Sequence, residues 1–201
     1  MAKRSRVFLV PARAEDGAAA ISRKAAAVYL KIGLQDRLES EDFLALKIHF
    51  GENHNTGYIK PHWLVDLAYT LRGKTDRIFL TDSNTLYVGR RSNAVDHIRL
   101  AWSHGFVPRA VEDVPIVITD GLLGGDFEEV KVRAGSLRTA KIASGIVRSD
   151  ALVCLSHVTG HILSFVFAAI NNLDIVSADR PGTLEQHANL RPRDTAKDDR
   201  N

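Results

Sequence analysis

A single α/β domain, with a mostly parallel sheet and helices on both faces, is predicted by three observations. Short apolar runs of strand type alternate with longer amphipathic runs along the 201 residues. Four of the short runs pass into polar, glycine-bearing loops, near His49, Asp82, Asp120 and His157. Hydrophobic residues make up 45% of the chain, enough for one core, and no interior stretch has the composition of a linker. The expected division is a domain over residues 1–176 and a polar C-terminal tail over residues 177–201.

In chain order, residues 6–10 read as a first strand, ended by Pro11. An alanine-rich helix is expected from about Gly17 to Ile32, stopped by Gly33. The loop between them lacks the glycine-rich dinucleotide fingerprint, which argues against a standard nicotinamide-dinucleotide fold. Residues 43–50 form the second strand, and Pro61 stands where a first helical residue belongs. Leu64, Val65, Leu67, Ala68 and Leu71 make that helix's apolar stripe, which Gly73 closes. Residues 77–82 are the third strand. Ser92 is expected to cap the next helix, with Val95, Ile98, Ala101 and Trp102 on its apolar face. Of Asp96 and His97 on that helix at most one is expected to face the crevice, and a plain surface pair is the favoured reading. Residues 115–120 are the fourth strand, 129–133 an edge segment and 139–148 a helix. Residues 151–155 are a further strand, followed by an apolar, helix-like run to Ile170.

Charge and cysteine content exclude several functions. The net charge is +3 and the pI about 9.1, with both signs interspersed. The basic start, Lys3, Arg4 and Arg6, is too short for a nucleic-acid arm. Cys154 is the single cysteine, so the chain alone forms no disulfide and holds no all-cysteine iron–sulfur cluster. Residues 7–10 are too short for a signal peptide, and the longest apolar run, 162–170, is too short to span a bilayer. The expectation is a cytoplasmic protein that binds neither membrane nor nucleic acid.

In a parallel sheet the strand carboxyl ends share one edge, so the four polar loops would converge on a crevice. His157 and His161 are four apart: if the helix includes both they share a face, and if the turn lies between them they can still converge. They are the acid/base candidates, since imidazole titrates near neutral pH. With Asp82 and Asp120 they also make a mixed nitrogen and oxygen set for a divalent cation. The plainer alternative is that each aspartate caps its own turn. His49, Glu52, His54, Asn55, Thr56 and Gly57, with Asn84, offer imidazoles, amides and backbone N–H groups to a phosphate or carboxylate. Arg90, with Arg91 beside it, would supply the countercharge. The loop lacks the Gly-Lys-Ser/Thr ending of a P-loop.

The segments KIHFGENHNTGYIKP, FLTDSNTLYVGRRSNAVDHIRLAWSHGF, VITDGLLGGD, CLSHVTGH and GTLEQH together resemble the family called domain of unknown function 362. The resemblance runs from about Leu44 to His187. It implies an association with iron–sulfur or ferredoxin-like proteins, whose cysteine-rich cluster module usually follows this domain. Two departures stand out. The chain stops shortly after His187 without such a module, so any cluster is expected on a separate ferredoxin-like chain. After Gly160 and His161 the family pattern continues with a glutamate, glycines and a lysine, where this chain has Ile162, Phe165 to Ala169 and Asn171.

The leading expectation is therefore a domain of this family that binds a metal or small anionic ligand at the strand carboxyl ends. Two alternatives stand beside it. One is a shortened, non-catalytic domain that pairs with a ferredoxin-like partner, or with itself as a homo-oligomer, through residues 162–170. The other is a metal-dependent hydrolase or transferase.

Overall fold

The computed structural model describes residues 5–134, 137–161, 165–167 and 169. The expected tail over 177–201 and the apolar surface within 162–170, apart from the residues just given, lie outside them.

The centre is a four-stranded parallel sheet built from β1 (Leu44–Ile48), β2 (Ile78–Asp82), β3 (Ile116–Ile118) and β6 (Ala151–Leu155), in the order β3-β2-β1-β6. All five residues of β1 and of β2 are buried, so both faces of the sheet centre are covered, as the apolar runs predict. Leu44, Leu46, Ile48, Leu67, Leu71, Leu80 and Phe106 are among the core side chains. Helices α1 (Ala18–Ile32), α2 (Val65–Arg72) and α3 (Ala94–Ser103) accompany the sheet, and α1 ends at Gly33 in the left-handed conformation, φ 78°. Pro61 opens a short 3₁₀ turn, Pro61–Trp63, ahead of α2. The predicted α/β class and parallel sheet are observed.

Several local expectations are corrected. Residues 6–10 form no strand, and Val7 and Leu9 are 91% and 87% exposed. Strand-type residues make a strand only where a ladder partner is present. Residues 139–143 are not helical but lie in β5 (Leu137–Ala143), paired antiparallel with β4 (Phe127–Ala134). The helical part shrinks to α4 (Ser144–Val147). A run holding Thr139 and Ile142 carries no decisive period, and the neighbouring β4 supplies the hydrogen bonds that settle it as strand. Likewise β7 (Thr159–His161) and β8 (Phe165–Phe167) pair antiparallel, where a helix was expected after Gly160. The N-cap of α3 is Asn93 rather than Ser92, since its side chain accepts the Asp96 N–H at 2.9 Å. The buried face of α3 carries His97, Leu100 and Ala101, while Val95 and Trp102 are exposed.

The order β3-β2-β1-β6 means the chain builds outward from β1 to β3 and then returns to the other side of β1. The switch in direction lies between β1 and β6. In open α/β sheets ligands bind outside the carboxyl ends at such a switch. Among the described residues, no helix is long and apolar enough to cross a membrane.

Candidate functional site

Lys47 stands inside an apolar strand and is completely buried, a placement that demands a partner. The partner is Asp82 at the end of β2, whose Oδ1 accepts from Lys47 Nζ at 2.9 Å and from the Ser83 N–H at 2.9 Å. Two further side chains face the second oxygen. Arg91 Nη1 lies 3.6 Å and His97 Nε2 3.4 Å from Asp82 Oδ2. Neither contact has hydrogen-bond geometry, and Asp82 Oδ2, Arg91 Nε and both ring nitrogens of His97 are buried without a hydrogen-bond partner. Burial alone would raise the Asp82 pKa. The charge of Lys47 first, then the adjacent His97 ring and the charge of Arg91, outweigh burial and hold the carboxyl well below its ordinary 3.8. Arg91 also pairs through Nη2 with Glu52, which is half exposed and reaches in from the loop after β1.

Beside this cluster the ends of β2 and β3 are locked together. Asp120 accepts the Asn84 backbone N–H at 2.9 Å and its side-chain amide at 2.9 Å. The same amide donates to Gly121 O at 2.9 Å. Thr81 Oγ1 donates to Thr119 Oγ1 at 3.1 Å. Both aspartates are fully buried.

His49 follows β1 and lies within the field of Arg91, Asp82, Lys47 and Glu52. Its Nδ1 accepts the Gly51 N–H at 3.0 Å, which leaves the ring proton on Nε2. Burial first, and then the charges of Arg91 and Lys47, lower its pKa from 6.5 to about 4 against the pull of Asp82. His49 is therefore a neutral donor at physiological pH. Gly51 makes the turn at φ 97°, where an added Cβ would come within 2.8 Å of both His104 and Tyr58.

The predicted site residues divide into those brought together and those kept apart. Asp82, His49 and Glu52 meet around Arg91, and Asn84 meets Asp120. His54, Asn55, Thr56 and Gly57 are exposed, and the loop uses its own groups: Gly57 N–H donates to Asn55 Oδ1, and Lys60 Nζ to Thr56 O. Arg90 is exposed while Arg91 is buried. His157 is exposed after β6, and His161 falls in β7. Among the described residues, no group of three or more His, Cys, Asp and Glu is placed to hold a metal. Cys154 has Ser156 Oγ at 3.6 Å and no second thiol in the chain, so an all-cysteine cluster does not fit.

Sequence reasoning passed over Lys47 and read His97 as surface. A signal existed for each. A lysine within FLALKIHF can only be a buried, paired charge if the strand is central. His97 is three and four residues from Leu100 and Ala101, the spacing of one helix face.

The sequence model of a family described as Domain of unknown function (DUF362) matches residues 44–197. No curated protein matches the chain, and no solved structure matches it.

Proposed function

The chain belongs to the family described as Domain of unknown function (DUF362), and from that premise we propose that it binds a small anionic ligand at the carboxyl edge of its sheet. One observation carries the reading. Two buried cations, Lys47 and Arg91, share a single buried carboxylate, Asp82. Inside the fold Arg91 therefore holds only a long contact to Asp82, and its guanidinium Nε is unpartnered. Glu52, on the solvent side, supplies the second negative charge to Arg91 and stands in for the anion when none is bound. His49 adds a neutral Nε2–H donor. An oxyanion with several acceptor atoms fits this set.

A divalent cation at Asp82, Asp120, His157 and His161 is the alternative proposal. Lys47 and Arg91 weigh against it. Each repels a positive charge by about 4 kcal/mol per unit at ~4 Å and an effective dielectric of ~20. Pairing with an iron–sulfur chain rests on the family resemblance alone and supplies no step here.

Calorimetric titration with inorganic phosphate tests the reading. Wild type should bind and Arg91→Met should lose binding. Glu52→Gln should bind more tightly, because the competing carboxylate is gone. Absence of binding at millimolar phosphate, or weaker binding by Glu52→Gln, refutes it. Metal retained after extensive dialysis of the purified chain would favour the cation instead.

A further inference from the structure

Two loops at the carboxyl edge expose apolar side chains in a way the fold imposes. The first follows β2 and is closed by the Thr85 N–H donating to Arg91 O at 2.8 Å. Tyr87 and Val88 lie at its tip, Val88 fully in solvent and Tyr87 68% exposed. The second follows β3 and is pinned at its base by the Asp126 N–H donating to Asp120 O at 3.0 Å. Its tip carries Leu122 and Leu123, which are 62% and 67% exposed. The two loops are joined to one another. Ala94 N–H donates to Leu122 O at 2.9 Å, and the Asn84 amide donates to Gly121 O at 2.9 Å. Single exposed apolar residues are ordinary on a protein surface. Here four of them, Tyr87, Val88, Leu122 and Leu123, crown two hydrogen-bonded neighbouring loops. The residue that closes the first loop is Arg91 itself, the buried cation of the anion site.

We infer that the ligand of this site is amphiphilic: a free small molecule with an anionic head and an apolar tail. This deepens the anion-binding reading and rests on it. The head pairs with Arg91 in place of the half-exposed Glu52, and the tail covers Tyr87, Val88, Leu122 and Leu123. Charge complementarity selects the occupant, because the cations beside the apolar rim call for an anion attached to the apolar group. Their burial selects a free molecule over a bilayer. Arg91 is only 7% exposed and is reached from the Glu52 side, so the head must extend inward past the loop surface, which a free molecule does more readily than a headgroup held in a membrane plane.

The test compares inorganic phosphate with n-octyl phosphate, kept below micelle formation, by calorimetric titration of the whole chain. Octyl phosphate should bind at least about tenfold more tightly, the gain from burying roughly two methylenes at ~0.8 kcal/mol each. In the Leu122→Ser/Leu123→Ser variant the preference for octyl phosphate over phosphate should collapse toward one. Val88→Ser should reduce it in part. These residues are exposed, so the variants fold. Phosphate binding without a preference for octyl phosphate overturns the apolar tail and leaves the anion site standing. Failure of both probes overturns both readings. Co-sedimentation with phosphatidylcholine vesicles containing phosphatidic acid, lost in the double-serine variant, overturns the assignment to a free molecule.

Discussion

Asp82 is the residue on which the buried charges depend, and its removal separates a buried from a surface ion pair. Asp82→Asn leaves Lys47 and Arg91 in the interior without their carboxylate. The expected cost is about 3–5 kcal/mol in urea unfolding, the range for breaking a buried pair. Glu52→Gln breaks the half-exposed pair with Arg91 and should cost less than about 1 kcal/mol. His49 makes a different prediction. Its folded pKa is about 4 against 6.5 for a free imidazole, so between those values the unfolded chain binds a proton that the folded chain does not. Stability therefore falls as pH drops from about 6.5 to about 4, by at most roughly 3 kcal/mol at ~1.36 kcal/mol per unit. Asp82 adds its own loss only below its ordinary 3.8, because its folded pKa lies lower still. His49→Asn, whose Oδ1 can still accept the Gly51 N–H, should flatten the melting temperature across that window. An unchanged pH profile in the variant would show that some other group titrates there.

At the scale of elements, two contacts hold the site loops in place. Asn93 caps α3 and so fixes the helix that presents His97. Asn93→Ala should cost about 1 kcal/mol in chemical unfolding. Gly145, in α4, packs on the end of β3, where its N–H donates to Thr119 O at 3.1 Å. An added Cβ would meet Thr119 Cγ2 at 2.6 Å, so Gly145→Ala should destabilise by about 1–3 kcal/mol. The β4–β5 hairpin also shows what local pattern reading misses. Its strands obtain their hydrogen bonds from one another, so the state of residues 139–143 depends on a partner elsewhere in the chain. The same holds for residues 6–10, which have strand-type side chains and no ladder.

For the whole molecule, the proposed anion site predicts that ligand and fold are coupled through the sheet edge. A ligand that binds only the folded chain at about a hundred times its Kd adds about 2.7 kcal/mol of stability. Phosphate, or octyl phosphate if the tail is bound, should therefore raise the melting temperature of wild type and leave that of Arg91→Met unmoved. A melting temperature that ignores both anions would count against an anion site at this edge. The fold class, the four parallel strands and most strand and helix positions were legible from the chain alone. Apolar period, proline and glycine punctuation and strand–helix alternation are local or topological properties that a sequence carries openly. Which charged residues form the inner cluster was not legible. Arg90 and Arg91 are neighbours of the same type, yet only Arg91 is turned inward. Lys47 and His97 join the buried cluster only because a partner strand brings Asp82 beside them and α3 is rotated to face it. Those choices depend on the relative placement of elements far apart in the chain, where burying a charge is favourable only if its counterion arrives with it.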